Sequence, residues 1–497
     1  MSSRTYKLKG QKVSFMSMEH FEINYDRKQA RAGILHFGVG NFHRAHQAYY
    51  TNLLLAHPDQ SNWGICGAMI LERDEKIYQG LLNQDCTYGL TVFGRTGKNE
   101  HHQIGSIVEL LWGWQNPTAI IDKIADPDIK IITLTITEGG YNLAKETHDF
   151  DFSNADIIHD LELPAKPKTV FGYIAAGLRK RMADGAGAIT ILTCDNLPHN
   201  GKVCRNSFLS FFEKADPELF AWAQKNTSFP STMVDRITPA TVESDIKKLE
   251  NLTGKSDLVP VYCEDFVQWI IEDDFIAGRP EWERVGVEFT DDVALYENMK
   301  LGYVNSTHLM LSFPGFMAGY RKVNEAVEDN RIATYLRQYM DLDVTPYMVA
   351  PPNTDIKEYR EIFMERLLNN SVSDQLARLC FDVANKFPVY IRQPIDAMIT
   401  ADADMKRIAF FIAAYRQHLQ KGIDDRGAAY QFNDPGLLPE DQPLYKSHNP
   451  KDFLRVSFMA DIKFENSSNF MEKYLHYCES FEKQGILMTL EELIADN

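Results

Sequence analysis

Hydrophobic and polar residues follow two different patterns along this chain, and the change falls near residue 295. Before that point, short apolar runs bounded by glycine-rich turns are typical of buried strands. These runs lie at 33–38, 63–70, 130–136 and 188–194, with less regular strand candidates at 258–263 and 284–289. Helical spacing at 172–184 and 203–214 flanks the fourth run. The alternation predicts an α/β domain with a parallel sheet.

From about residue 295 onward the spacing of apolar residues becomes helical. Helices are predicted at 296–312, 317–341, 356–370, 372–385, 402–420 and 469–484, with a long loop rich in Asp, Pro and Gly at 425–450. A chain of this length is expected to form more than one domain. We therefore predict a Rossmann-type dinucleotide-binding domain at 1–292 and a mostly helical substrate and catalytic domain at 293–497. The active site is expected in the cleft between them.

The first predicted strand runs directly into the turn Gly38-Val-Gly40-Asn-Phe-His43-Arg. A helix and a second strand follow, which is the first unit of a dinucleotide-binding fold. Glycines let the backbone approach a pyrophosphate, whose charge is favoured at a helix N-terminus. His43 occupies the place of the third glycine of this fingerprint. A tight turn that binds no ligand is the alternative.

Polar residues follow two later strands where each strand ends. Glu138 lies just after the strand 130–136, and Asn196 just after the strand 188–194. Ligands of such folds bind outside the carboxyl ends of the strands, so both residues are candidates for the reaction site. For Asn196 the alternative is an ordinary turn, because Asp-Asn shortly before Pro198 favours one.

The segment that opens the helical half carries an amine, an amide and an imidazole at Lys300, Asn305 and His308. In a regular α-helix Asn305 and His308 are about 60° apart, and Lys300 lies within an arc of about 140° of both. Lys300 and His308 are then separated by about 12 Å along the axis. One proton cannot be shared over that length, but an extended polyhydroxylated substrate could contact all three. A solvated helix face is the alternative.

The composition of the chain limits the classes of molecule that it is expected to bind. The net charge of −17 disfavours nucleic acid and anionic membrane surfaces as partners. The seven cysteines are scattered and form no CxxC pair, which indicates reduced thiols and a cytoplasmic location. No apolar run approaches the ~18 residues of a membrane span, and the polar start of the chain does not resemble a signal peptide. The expected partner is a small molecule, with the chain as a monomer or small homo-oligomer.

Known catalytic patterns are mostly missing. No cluster has zinc-ligand spacing, so no metal is expected. Neither a P-loop nor a GxSxG motif occurs. Tyr296 and Lys300 have the spacing of a short-chain dehydrogenase pair, but they lie too far along the chain for that class. A metal-free hydride-transfer enzyme with a lysine base remains.

Five stretches, in one order over nearly the whole chain, resemble the mannitol 2-dehydrogenase family of polyol-specific long-chain dehydrogenases. They are 38–46 (GVGNFHRAH), 135–141 (TITEGGY), 193–201 (TCDNLPHNG), 232–238 (TMVDRIT) and the Met299-Lys300, Asn305, His308 set. The resemblance implies a Rossmann-type domain, a helical C-terminal domain and no metal. It also implies reversible oxidation of D-mannitol to D-fructose with NAD.

The resemblance also implies roles for individual residues. Lys300 corresponds to the general base, Asn196 and Asn305 to the amides of the oxyanion hole, and Glu138 to a residue that handles the proton leaving the lysine. Implied substrate contacts are Asp235, His308, Arg378 and Lys386. Implied cofactor contacts are Gly38, Gly40, Asn41, Phe42, Arg44 and Asp74.

Asp74 resembles the acidic residue that favours NAD in this family. It lies 36 residues beyond Gly38, further than the ~20 of a simple Rossmann unit, so spacing alone does not identify it. Arg73 stands where a mannitol dehydrogenase carries a second acid. Because a guanidinium suits a phosphate, some use of NADP is expected beside NAD.

The family also contains fructuronate and tagaturonate reductases and arabinitol dehydrogenases. Leu197-Pro-His-Asn200 after Cys-Asp-Asn, and Asp374-Gln-Leu-Ala-Arg378 with Lys386-Phe-Pro, favour the mannitol branch. Arg378 could bind a uronate carboxylate, or it could form a helix-surface ion pair with Asp374, four residues back. A scaffold protein that has lost catalysis is the non-enzyme alternative, and retention of Lys300 and both asparagines argues against it.

Overall fold

The computed structural model describes residues 18–144, 149–352, 354–372 and 374–495. The chain divides into two units, Met1–Asp291 and Asp292–Asn497. All strands found in the described residues lie in the first unit. The prediction of an α/β part followed by a helical part is confirmed.

The strands of the first unit form three sheets. They are β1 (Met18–Phe21), β2 (Ala32–Phe37), β3 (Gly64–Met69), β4 (Tyr88–Phe93), β5 (Asn99–Ile104), β6 (Ile107–Trp112), β7 (Ile131–Leu134), β8 (Ile189–Thr193), β9 (Thr227–Ser228), β10 (Thr232–Asp235), β11 (Val261–Glu264), β12 (Gln268–Glu272) and β13 (Glu288–Thr290).

A six-stranded sheet in the order β6-β3-β2-β7-β8-β9 is the centre of this unit, and all of its neighbouring strands are parallel. Numbered along the sheet's own strands, this is the 3-2-1-4-5-6 order of a dinucleotide-binding fold. The order reverses between β2 and β7, where a crevice opens at the carboxyl ends of the strands. The other two sheets are β1-β5-β4-β11 and β10-β12-β13.

The central strands were predictable because helices cover both faces of the sheet. Every residue of β2, β3, β7 and β8 is buried, so these strands appear as continuous apolar runs. The helices of this unit are α1 (Asn41–Ala45), α2 (Gln47–Leu54), α3 (Glu75–Asn83), α4 (Pro117–Ala125), α5 (Ala155–Glu162), α6 (Val170–Asp184), α7 (Asn200–Ala215), α8 (Pro217–Asn226) and α9 (Glu243–Thr253).

The second unit is built from helices around a long buried one, α18. Its members are α10 (Val293–Lys300), α11 (Ser306–Met317), α12 (Val323–Val327), α13 (Asn330–Tyr339), α14 (Ile356–Leu368), α15 (Leu376–Leu379), α16 (Val383–Tyr390), α17 (Arg392–Thr400), α18 (Lys406–Lys421), α19 (Gln442–Tyr445), α20 (Pro450–Phe453) and α21 (Phe470–Ala495). Fourteen of the sixteen α18 residues are buried, which explains why its apolar pattern was recognised.

Outside the segment that carries Lys300, three predicted elements differ from the structure, each for a local reason. The predicted helix 317–341 is interrupted after α11, because Gly319 adopts a φ of +90°, and it continues as α12 and α13. The predicted helix 372–385 divides at Asp382, whose φ is +59°. Of the strand expected at 284–289, the first two residues belong to the 3-10 turn Trp282–Val285, and the last two belong to β13.

Candidate active site

A cleft of about 520 Å³ lies at the carboxyl ends of β2, β3 and β7. Its floor is the turn after β2, one side is the segment after β3, and the other is the loop after β7. This is the crevice that the strand order predicts as a ligand site. Of the six predicted cofactor residues, Gly38, Gly40 and Asp74 line it.

Gly38 and Gly40 have separate structural reasons to be glycine. Gly38 has a φ of +98°, and a Cβ on it would come within 2.1 Å of the carbonyl oxygen of Thr135, the residue that follows β7. At Gly40, the nearest heavy atom to such a Cβ is 3.9 Å away, so the space above it is open to the cleft. The first glycine shapes the turn, and the second leaves room for a ligand against the backbone.

Asn41 and Arg44 hold the turn from the protein side. The buried Arg44 donates to Asn41 Oδ1 at 2.7 Å and also to the carbonyl of Val259. Asn41 Nδ2 in turn donates to the carbonyl of Pro239 at 3.1 Å. Phe42 stacks on the ring of His46, with centroids 5.1 Å apart. These three predicted cofactor residues are not part of the cleft lining.

Arg73 and Asp74 lie together on the side of the cleft that follows β3. Asp74 Oδ2 accepts a hydrogen bond from the backbone N–H of Leu71 at 3.1 Å. This bond fixes the carboxylate at the edge of the cleft. A cation and an anion therefore stand side by side where the ribose of a dinucleotide is bound in such folds.

Asp195 ties the ends of two central strands together. Its carboxylate accepts hydrogen bonds from the backbone N–H groups of Ile136 and Thr137, at 3.0 and 2.9 Å, and from the hydroxyl of Tyr141 at 2.8 Å. Burial raises the pKa of Asp195 to about 6, even though these donors favour its charged form. The loop that carries Glu138 is thereby fixed to the end of β8.

Asn200 continues this connection to β10. Its side-chain amide donates to the carbonyls of Asp195 and Thr232, at 3.0 and 2.8 Å, and its oxygen accepts from the N–H of Thr232 at 2.9 Å. Within the first unit, Asp195 and Asn200 thus join the segments that carry three predicted site residues. Glu138 and Asn196 are exposed at the ends of β7 and β8, and Asp235 is buried at the end of β10.

Lys300, Asn305 and His308 lie on one continuous helix, but that helix is not regular. Residues Leu301–Asn305 form a π turn between α10 and α11, in which the N–H of Ser306 donates to the carbonyl of Leu301, five residues back. The prediction of a regular α-helix over 296–312 is therefore wrong. A π turn adds one residue to a helical turn. Asn305, the fifth residue after Lys300, therefore points in the direction that the fourth residue would have in a regular α-helix. The angle between Lys300 and Asn305 around the helix axis is then about 40° rather than about 140°.

The same extra residue moves His308 to about 20° on the other side of Lys300, so the three side chains share an arc of about 60°. Lys300 is buried, with 8% of its surface exposed. His308 packs edge-on against Phe363. Among the described residues, no hydrogen-bond partner is found for the buried Oδ1 of Asn305.

Arg378 and Lys386 lie on α15 and α16 of the second unit. Arg378 donates to Asp374 through Nε, at 2.6 Å, and through Nη2. This is the ion pair with Asp374 that the sequence indicated as the alternative to binding of a substrate carboxylate by Arg378. The Lys386 ammonium donates to the carbonyl of Phe381 at 2.6 Å, and burial, with the nearby Arg378 charge, lowers the pKa of Lys386.

One wall of the cleft was not predicted from the sequence. Asn154, Asp156, Lys168 and Thr169 line the cleft from the segment around α5 and the start of α6. Lys168 and Asp156 form an ion pair of 3.3 Å there. The polar stretch has no motif that distinguishes it from an ordinary loop.

The described residues contain no group of three or more His, Cys, Asp or Glu side chains arranged to hold a metal ion. None of their helices combines the length and apolar character required to cross a membrane.

Two family models together match most of the chain. The mannitol dehydrogenase Rossmann domain matches residues 32–284, and the mannitol dehydrogenase C-terminal domain matches residues 292–480. A polyol:NADP oxidoreductase of Gluconobacter oxydans is 37% identical over 465 residues, which cover 93% of this chain and 95% of the relative.

Two solved structures resemble the chain over almost its full length. The mannitol 2-dehydrogenase of Pseudomonas fluorescens, in a ternary complex with NAD and D-mannitol, is 40% identical with a TM-score of 0.83. The match covers 96% of this chain and 97% of that one. A substrate-free D-sorbitol dehydrogenase is 36% identical with a TM-score of 0.90, covering 95% and 97% of the two chains.

Proposed function

The chain belongs to the mannitol dehydrogenase family of polyol oxidoreductases, and from this premise we propose that it interconverts D-mannitol and D-fructose with NAD as the preferred cofactor. One observation carries the proposal. Lys300, Asn305 and His308 share one face of one helix, in a chain 40% identical to a mannitol 2-dehydrogenase bound to NAD and D-mannitol.

The cleft of the first unit fits a dinucleotide. The open space above Gly40 and the tight turn at Gly38 suit a diphosphate, and Asp74 suits the ribose hydroxyls. Bound there, a nicotinamide ring supplies the acceptor for the hydride. Because Arg73 adjoins Asp74 and a relative is named a polyol:NADP oxidoreductase, we propose that NADP is also used, less efficiently than NAD.

Lys300 is proposed as the general base of polyol oxidation. Its neutral amine takes the proton of the reacting hydroxyl while the carbon loses hydride. Burial disfavours the ammonium form of a lysine, so a buried amine is suited to act as a base. Glu138, exposed after β7, is proposed to pass the proton from the lysine on to solvent.

Asn305 and Asn196 are proposed to stabilise the oxygen on which negative charge develops. Amide N–H groups donate hydrogen bonds without titrating, so they act equally in both directions of the reaction. The remaining hydroxyls are assigned to Asp235, His308, Arg378 and Lys386.

The Arg378–Asp374 pair favours a neutral polyol over a uronate. A substrate carboxylate at Arg378 would have to compete with the carboxylate of Asp374, which already accepts hydrogen bonds from two nitrogens of the Arg378 guanidinium. Fructuronate or tagaturonate reduction therefore ranks below polyol oxidation. Arabinitol is proposed as a slower substrate.

A substrate panel tests the proposed activity. D-mannitol, D-sorbitol, D-arabinitol, D-fructose and D-fructuronate are compared by kcat/KM with NAD(H) and NADP(H), followed by the absorbance of the reduced nicotinamide. Mannitol and fructose are expected to give the highest values, with no effect of EDTA. A higher kcat/KM for fructuronate than for fructose would overturn the substrate assignment, and loss of activity in EDTA would overturn the metal-free mechanism.

The lysine assignment has its own test. Lys300→Ala is expected to lower kcat for oxidation by at least ~10², with cofactor binding unchanged. The exposed Lys357→Ala, on α14, is the control for loss of a positive charge. Near-normal turnover by Lys300→Ala would remove Lys300 from the mechanism.

The compartment is proposed from the cysteines. All seven are free and buried, as expected for a protein kept in reducing conditions such as the cytosol.

A further inference from the structure

The π turn at Leu301–Asn305 is held by side chains, and these side chains lie outside the proposed catalytic set. A π turn is uncommon and appears mostly as a single turn inserted in an α-helix. Something other than the helical backbone must therefore favour it at this position. The contacts that do so are found at Ser306 and in a second π turn of the same unit.

Ser306 is the first residue after the turn, and it is fully buried. Its backbone N–H closes the π turn on the carbonyl of Leu301. Its hydroxyl donates to the carbonyl of Gly302, within the same turn. The serine therefore satisfies two successive carbonyls of the turn, one from its backbone and one from its side chain.

The second π turn, Met340–Val344, packs beside the first. At its end the N–H and the hydroxyl of Thr345 both bond to the carbonyl of Met340, the hydroxyl at 2.7 Å. The same hydroxyl accepts a hydrogen bond of 2.8 Å from Arg360. It also lies 3.0 Å from the hydroxyl of Tyr303, which belongs to the first turn. The Thr345 hydroxyl thus uses all of its hydrogen-bonding capacity, and its bond with Tyr303 joins the two turns.

We propose that Ser306 and Thr345 are positioning residues, which hold the π turn and thereby keep Asn305 and His308 on the same helix face as Lys300. If the turn relaxed to α-helical pairing, Asn305 would rotate by about 100° away from Lys300. The two residues do not contact the substrate in this proposal. The proposal rests on the proposed function, because the alignment of Lys300, Asn305 and His308 matters only if these three residues act on the substrate.

Replacing the hydroxyl of Ser306 tests the proposal. Ser306→Ala is expected to lower kcat at least about tenfold, since a small misplacement of a catalytic group is costly, with polyol KM and cofactor Kd changed less than about twofold. Ser306→Thr retains the hydroxyl and is expected to restore kcat. Thr345→Val, which removes the bond between the turns, is expected to lower kcat in the same way.

Ser312→Ala is the matched control. Ser312 is also fully buried on α11, and its hydroxyl donates to the carbonyl of Leu309 at 2.7 Å, but it lies outside the π turn. This variant is expected to lose a similar amount of thermal stability while keeping kcat. Equal kcat values for Ser306→Ala and Ser312→Ala would overturn the proposal, as would failure of Ser306→Thr to restore kcat.

Failure of this inference can be told apart from failure of the proposed function. If Lys300→Ala is inactive while Ser306→Ala and Thr345→Val turn over normally, the lysine mechanism stands and the positioning role is wrong. If Lys300→Ala retains turnover, the proposed function itself is wrong, and so is the purpose assigned to the turn.

Discussion

Asp343 and Arg407 form a doubly hydrogen-bonded ion pair inside the second unit, with both N···O distances at 2.7 Å. Both side chains are almost completely shielded from solvent. Asp343 belongs to the second π turn, and Arg407 belongs to the central helix α18. The pair therefore anchors that turn to the core of the unit.

Removing one partner should be strongly destabilising, because it leaves a buried charge without compensation. Asp343→Ala is expected to lower the free energy of unfolding by about 3–5 kcal/mol. Asp396→Ala, which breaks an exposed pair with Arg392, should cost less than about 1 kcal/mol. Urea unfolding of the three proteins measures the difference. Equal losses in the two variants would contradict the buried-pair account.

Each of the two proposed amide donors should act on the transition state. Asn196→Ala and Asn305→Ala are each expected to lower kcat by ~10²–10³. Asn298→Ala is the control on the same helix, since two residues of helix place Asn298 about 200° from Lys300, on the opposite face. Steady-state kinetics with mannitol separates the effects. A change confined to KM would make that asparagine a ground-state contact instead.

Cofactor preference should respond to the two charges beside the cleft. Asp74→Ala removes a carboxylate that repels a 2′-phosphate, a repulsion of roughly 1–4 kcal/mol for unit charges ~4 Å apart, and should raise the ratio of NADP to NAD use. Arg73→Glu should lower that ratio. The ratio of kcat/KM values for the two cofactors is the measurement. If neither variant changes it, both residues are excluded from cofactor selection.

The buried His418 should make stability depend on pH. Burial lowers its pKa from the usual 6.5 to about 3, and its ring stacks on Tyr430. Below pH 6.5 the unfolded chain therefore binds a proton that the folded protein does not. The free energy of unfolding then decreases as the pH falls, by up to ~1.4 kcal/mol per pH unit.

His418→Phe removes this titration while keeping an aromatic ring in the stack. Between about pH 7.5 and about pH 5.5 the wild type should lose about 1 kcal/mol more stability than this variant. His476→Gln, at an exposed position, should lose as much as the wild type. Denaturant titrations at the two pH values check this, and a parallel loss in His418→Phe and wild type would show that His418 is not the cause.

How far the sequence predicted the fold differed between the sheets. The central strands of the six-stranded sheet, β2, β3, β7 and β8, are continuous apolar runs and were found, whereas β4 was missed although every residue of it is buried. The strand β5, with the sequence NEHHQI, was missed, since its buried polar residues make no such run. His101 and His102 belong to this strand and are buried in it although both are polar.

The sequence indicated which residues to consider for the candidate site, but not how these residues are arranged. The sequence proposes Lys300, Asn305 and His308 as site residues, but the mutual angles predicted for them from a regular α-helix differ from those in the structure. Hydrogen bonds from Ser306, and from Thr345 some forty residues away in sequence, favour the π turn, and helical periodicity contains no information about them. The cleft wall at Lys168 was missed for a similar reason, because it is assembled from a distant segment.

His36 and His43 show how this chain departs from the common glycine fingerprint. Their rings stack with centroids 3.4 Å apart and an angle of 12° between planes, and both are buried. In the common fingerprint the third glycine serves close packing of helix and strand, and here a pair of rings fills that contact. The residues at positions 36 and 43 should therefore be substituted together. A consensus redesign that installs glycine at 43 alone would leave His36 facing a void, so a graft of the standard turn must replace both residues together.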